Sequence, residues 1–344
     1  MIANRFFVFH FHKKICVVAA LLLLCACASV RAQDTDEEKP LRIEANLVRL
    51  NVGVADRKGA AVTDLSRNDF VVYEDGVRQP IVSFEPAQSP FSLVLLLDVS
   101  GSTLSFRTTL KQAALRFIDA LAPDDRVAVV AFNENSRMLE KFTSDRRKIA
   151  FAIERAEGHG STNFYQALSF GINQLSHEQN RRKAIVVMTD GIDTEMRNQD
   201  RAAALNAVTD EQAIASIKPE ASRSLQAVLD AADRQGVTIY PLALPSGDPK
   251  RLPEQTPQIM AIYSSARSRL ETLANRTGGR LHDIHRLEDL GRLYAEVAAD
   301  LRTLYTIAYQ PSGARPRNGE WHSISIEVTR PELIARTRPG YYAR

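Results

Sequence analysis

An α/β fold with a doubly wound, mostly parallel sheet, flanked by a small antiparallel β unit, follows from three features of this 344-residue chain. Residues 91–98, 127–132, 184–188 and 237–244 are continuous apolar runs, the mark of strands buried on both faces. Helical stripes separate them, so strand, crossover helix and strand repeat. At both ends the pattern changes to period-two alternation, as in Leu50, Val52 and Val54 and again in Ile324, Ile326 and Val328.

The elements follow in order. After the alternating strand near residues 47–54, Asp56-Arg-Lys-Gly59 makes a turn. Phe70-Val-Val-Tyr-Glu is a second strand, Asp75-Gly76 is a hairpin turn, and Ile81-Val-Ser-Phe84 is expected to pair back. Past Pro90 the α/β pattern begins. Leu110, Ala113, Ala114, Phe117 and Ile118 share one helical face after the first buried run. Ile149 opens a short helix; Phe164, Ala167, Leu168, Gly171 and Leu175 form the next stripe. Leu225, Val228, Leu229 and Ala232 mark a helix stopped by Gly236, and a helix through Leu270 and Leu273 ends at Gly278-Gly279. A short strand at 280–284 and a helix at 287–304 complete the unit. Segments 305–309, 321–328 and 333–336 read as strands. Neither terminal β piece buries a face alone, so the two are expected to pair, with the α/β domain inserted between them. Residues 195–223 are polar and long for a connection, with a partial helix over 201–208; they leave the end of the 184–188 strand as an overhang of that edge or a plain solvated excursion.

The first 32 residues stand apart. Arg5, Lys13 and Lys14 precede an apolar stretch over 15–24, and Val30-Arg31-Ala32 closes it with small residues in the cleavage positions. That is a secretory signal, followed by a polar linker over 33–40. Leu24-Cys25-Ala26-Cys27 also resembles a lipoprotein cleavage box with Cys27 as the lipidated residue. The chain is therefore expected to be exported, with membrane attachment only through a lipid anchor or an uncleaved signal. Cleavage removes Cys16, Cys25 and Cys27, leaving no thiol for catalysis or a disulfide. It also removes four basic residues and no acid, which cancels the net charge of +3. The basic balance is thus no argument for nucleic acid as a partner.

The chemistry concentrates at strand ends. Asp98 terminates the first buried run, and Ser100 and Ser102 follow at alternate positions. Thr162 lies in a glycine-bearing loop and Asp190 ends the third run. Ligands of parallel sheets bind outside the carboxyl ends of the strands, so one edge receives two acids and three hydroxyls. Oxygen donors of this kind, completed by water, suit Mg²⁺ or Mn²⁺. Other schemes fit less well. Asp98 could open a phosphatase of the haloacid dehalogenase kind, with Asp190 and Asp193 as later acids. Ser100, however, stands where that chemistry needs a second aspartate to move a proton. His282 and His285 are spaced to opposite faces of a strand, and His159 is a lone loop histidine.

Asp98-Val-Ser100-Gly-Ser102, Gly160-Ser-Thr162-Asn and Thr189-Asp190-Gly191 resemble the metal-ion-dependent adhesion site of von Willebrand factor type A domains, over roughly residues 91–304. The flanks, Asn68-Asp-Phe-Val-Val-Tyr-Glu-Asp-Gly and Arg338-Pro-Gly-Tyr-Tyr-Ala, are similar to secreted VWFA-related proteins of the acidobacterial type. The resemblance implies a Rossmann-like fold. It implies an ion held directly by Ser100, Ser102 and Thr162, with Asp98 and Asp190 acting largely through water. It further implies non-catalytic binding of a protein partner that presents an Asp or Glu carboxylate. An ion that serves stability alone is the plainer alternative.

Overall fold

The computed structural model describes residues 47–178, 181–311 and 319–343. The signal, the linker, Cys27 and the first residues of the N-terminal β segment lie outside them.

Strand β5 (Phe91–Asp98) is the axis of the α/β unit, and every one of its residues is buried. It lies between β6 (Arg126–Phe132) and β8 (Arg182–Thr189), parallel to both, with Leu95 level with Val129 and Val186. Outward come β9 (Val237–Ala243) and the two-residue β10 (His282–Asp283) on one side, and β7 (Ser136–Thr143) on the other. β7 runs antiparallel to β6 and is half exposed, so its weak apolar pattern left no clear strand signal in the sequence.

Alternate residues of β5 face opposite layers. Leu93, Leu95 and Leu97 meet α1 (Arg107–Asp119) and, later in the chain, α8 (Leu290–Thr303), through Leu110, Phe117, Leu293 and Val297. Val94 and Leu96 meet α3 (Phe164–Ser176), α6 (Arg223–Gln235) and α7 (Pro257–Thr277), through Leu168, Val228 and Leu273. The short α2 (Arg146–Glu154) adds Ile149 and Ile153 to the first layer. Burying each such side chain stabilises the fold by about 1.5–3 kcal/mol, which fixes β5 and the loop that leaves it. Among the described residues no helix is long and apolar enough to cross a membrane.

The terminal strands do pair. β1 (Val48–Asp56) runs between β11 (Leu304–Tyr309) and β13 (Leu333–Arg336), and β2 (Phe70–Glu74) pairs with β12 (Trp321–Val328). Two four-stranded sheets result, enclosing Leu50, Val52, Phe70, Val72, Tyr305, Ile307 and Tyr309. β14 (Gly340–Tyr342) closes one edge. One expectation is corrected. Residues 81–84 do not pair back on β2: the hairpin partner is β3 (Val77–Gln79), whereas β4 (Ile81–Glu85) crosses to the other sheet and pairs with β11. Pro80 lies between them, and having no N–H it cannot continue the ladder. At the hairpin itself Asp75 and Gly76 both take positive φ (50° and 77°), as a type I′ turn requires. Trp321 packs edge-on against Tyr342 at 5.0 Å, at the sandwich edge.

Residues 195–223 are neither solvated coil nor a single central helix. α4 (Thr194–Ala203) and α5 (Asp210–Ser216) pack on α7 through Ala204, Ala213, Ile217, Ala261 and Ile262. The expected helix over 201–208 is displaced toward the N-terminus because Asp193 caps Met196 N at 3.0 Å and starts it earlier. A buried bidentate pair joins the layers: Arg269 donates to both oxygens of Asp200, at 2.6 and 2.7 Å. Such a pair stabilises little against an apolar alternative but is costly to break.

Candidate metal centre

The chain leaves β5 in a tightly held loop. Val99 N still donates to Phe132 O at 2.9 Å, the last tie to β6. Ser100 N turns back to Asp98 Oδ1 at 3.0 Å, and the Thr103 hydroxyl donates to the carbonyls of Asp98 and Ser100, both at 3.0 Å. Arg107, at the start of α1, donates to the carbonyls of Val99 and Ser100. With its backbone so fixed, the loop sets the Ser100 and Ser102 hydroxyls 3.2 Å apart. Ser100 is buried and Ser102 exposed, so the pair spans the boundary between protein and solvent.

The β8 edge supplies the opposite wall. Asp190 Oδ1 accepts from Ile192 N at 3.0 Å, and the nearby Ser102 side chain also favours its charged form. Thr189 binds the two walls together, donating its hydroxyl to Asp98 Oδ2 at 2.9 Å while accepting from Gly191 N at 3.1 Å. Behind Asp190 lies Gly247, where an added Cβ would meet the Asp190 carbonyl oxygen at 2.2 Å; only glycine permits that approach.

The third segment arrives through backbone contacts. Gly160 has φ +98°, which glycine alone adopts freely, and its carbonyl accepts from Gly101 N at 3.0 Å. Thr162 is buried and held by α4: its N–H donates to the Thr194 hydroxyl at 2.9 Å, and Thr194 N donates to its carbonyl at 2.9 Å. Among the described residues the Thr162 hydroxyl makes no hydrogen bond to the other four side chains. Asp98, Ser100 and Ser102 are therefore linked directly, Asp190 is joined to them through its neighbour Thr189, and Thr162 stands beside them through its loop.

Asp98 is 3% exposed and Asp190 5%. Burial, and then the charge of Asp190, push the Asp98 carboxyl up to about 7. Burial also raises Asp190, against Ile192 N and the Ser102 side chain, which favour its charged form. Neither acid forms an ion pair among the described residues. Two buried carboxylates that face each other without a paired cation must share protons or meet a positive ion. The donor set, two carboxylates and three hydroxyls, consists only of hard oxygen and fits Mg²⁺ or Mn²⁺.

Residues 93–192 match the family model for the von Willebrand factor type A domain. An uncharacterized protein of Synechocystis sp., sll0103, is 36% identical over 123 residues, 35% of this chain and 29% of that protein. The human voltage-dependent calcium channel subunit alpha-2/delta-2 is 31% identical over 117 residues, 30% of this chain and 10% of that protein. This chain thus spans less than a third of the length of either relative. A solved von Willebrand factor type A structure from Catenulispora acidiphila aligns with a TM-score of 0.47 at 14% identity, over 81% of this chain and 74% of that one. The chain thus carries a von Willebrand factor type A domain, matched over residues 93–192.

The remaining candidates fall into place. Asp193 is committed to helix capping, accepting from Phe164 N at 2.8 Å and Met196 N at 3.0 Å with its two oxygens. His159 is exposed and meets Asn133 only through its carbonyl. His282 is buried and His285 exposed, as their spacing implies. A second group of possible ligands, Glu74, Asp75 and His322, lies in the β-sandwich with ligand atoms within 4.8 Å of one another. There His322 Nδ1 lies 2.7 Å from Asp75 Oδ2, and Tyr309 donates to Glu74 at 2.5 Å. Sequence reasoning quoted Thr189 but gave it no role. The register that gives it one appears only in the structure: residues 97 and 188 are level, so the next positions, Asp98 and Thr189, are neighbours across the ladder.

Proposed function

We propose that the protein is an exported, non-catalytic binding module that captures an acidic side chain of a protein partner through Mg²⁺ or Mn²⁺. Asp98, Ser100, Ser102, Thr162 and Asp190 would hold the ion. The observation that carries the reading is the buried Asp98–Asp190 pair, both acids raised in pKa, next to three hydroxyls and, among the described residues, with no basic side chain in an ion pair. The ion supplies a positive centre that accepts one more anionic oxygen. The protein's own groups do the rest. Thr189 and Ser100 N orient the Asp98 carboxylate, Ile192 N orients Asp190, and the exposed Ser102 marks the side open to a partner. Export rests on the basic, apolar and small-residue pattern of residues 1–32.

The commitment of Asp193 to backbone donors favours binding over phosphoryl hydrolysis, since it removes one of the acids a phosphatase reading would use. The test is retention of a partner from the extracytoplasmic fraction in Mg²⁺, its release by chelator, and its loss in Ser100→Ala/Ser102→Ala. Turnover of p-nitrophenyl phosphate with Mg²⁺ that disappears in Asp98→Asn would defeat the binding reading.

A further inference from the structure

The third loop of the site is held by a helix that belongs to the 195–223 excursion rather than to the sheet. We propose that Thr194 is a positioning residue for the ion: it fixes Thr162 where its hydroxyl can serve as a ligand, and α4 acts as a docked clamp on the site. The inference rests on the metal reading above and assigns a further residue to it.

Three observations carry it. First, Thr194 grips Thr162 from both sides of the peptide, accepting from Thr162 N and donating to Thr162 O, each at 2.9 Å. Two reciprocal bonds fix the peptide units on either side of Thr162, which a single bond would not. Second, the next residue but one is held by the same helix start: Phe164 N donates to Asp193 Oδ2 at 2.8 Å. The turn from Thr162 into α3 is thus held by residues 193 and 194. Third, α4 is itself immobilised at its far end. Asp200 is bound bidentately by Arg269, and Arg269 also donates to the Pro219 carbonyl at 3.3 Å. The loop that presents Thr162 is also tied at Gly160 to Gly101 in the serine loop, and at His159 and Asn163 to Asn133 beyond β6. Thr162 is therefore set among the Ser100–Ser102 wall, Asn133 and α4, and of these α4 alone bonds its own backbone, through the side-chain oxygen and the N–H of Thr194.

Outer groups that orient a ligand change metal affinity by about 10–100-fold when removed. The experiment is Mn²⁺ titration by calorimetry at pH 8 on the full mature chain, with the melting temperature in chelator measured in parallel. Thr194→Val keeps size and shape but removes the acceptor for Thr162 N, and should weaken Mn²⁺ binding by roughly tenfold. Thr194→Ser keeps the oxygen and should bind like wild type. Thr194→Ala repeats the loss without the extra methyl, in case the valine variant does not fold. A merely structural role would lower the melting temperature in chelator and leave the Mn²⁺ dissociation constant of the folded variant unchanged; that result overturns the clamp. Thr194→Ser binding as weakly as Thr194→Val overturns it too. A wild-type protein that takes up no Mn²⁺ refutes the metal reading itself, and the clamp with it, so the two failures are told apart by the wild-type arm.

Discussion

Replacing Asp98 by Asn should stabilise the ion-free protein and abolish its response to Mg²⁺. The Asp98 carboxyl is pushed up to about 7 by burial and by Asp190. A raised acid pKa means that the unfolded chain releases its proton first, so folding stability falls as pH rises from roughly 4 to 7. Above that range the cost to the ion-free fold reaches about 4 kcal/mol as an upper bound. Asparagine is close in shape, can accept from Ser100 N and can donate to the Thr189 oxygen, so most of the local hydrogen bonding survives. A net gain of about 2 kcal/mol at pH 8 remains after relaxation, or roughly 3 °C in melting temperature for a chain of this size. In Mg²⁺ at a hundred times its dissociation constant, wild type should gain about 2.7 kcal/mol and the variant nothing. The order of stability therefore reverses, or closes, between chelator and Mg²⁺. The assay is thermal unfolding of both proteins at pH 8 in the two conditions. If Asp98→Asn melts below wild type in chelator, Asp98 stabilises the fold without an ion and the reasoning fails.

Other consequences are simpler to check. The same proton competes with the ion, so Mn²⁺ affinity measured by calorimetry should fall roughly 30-fold between pH 8 and pH 5.5; a flat profile would contradict the raised Asp98. Leu96→Ala opens a cavity between β5 and α3 in the fully buried layer and should cost about 2–5 kcal/mol in denaturant unfolding; a loss under 1 kcal/mol would show that the layer collapses around it. Asp200→Ala leaves Arg269 buried without its carboxylate and should cost about 3–5 kcal/mol. Limited proteolysis should then cut within residues 195–223, and protection equal to wild type would show that the apolar contacts alone hold α4 and α5.

The sequence made the α/β core legible because burial on both faces of a parallel strand leaves continuous apolar runs, and β5 buries all its residues. The five candidate site residues were singled out for a related reason: a costly acid or hydroxyl directly after such a run needs a partner, and the topology sends every run's end to one edge. β7 was not legible because one of its faces meets solvent and Glu140 and Lys141 interrupt the alternation. The sheet switch of residues 81–84 depends on a pairing choice between β2 and β11, more than two hundred residues apart in the chain, which local pattern does not encode. The docking of 195–223 was hidden because it rests on small alanines and one buried ion pair, and in composition alone both look like solvated surface.

Anomalous diffraction from crystals grown with Mn²⁺ tests the central claim most directly. The account requires one strong peak between the β5 and β8 ends, bonded to the Ser100 and Ser102 hydroxyls at about 2.1–2.2 Å, with Thr162 oxygen and the two aspartates around it. A peak confined to Glu74, Asp75 and His322, or none at all under saturating Mn²⁺, would contradict it.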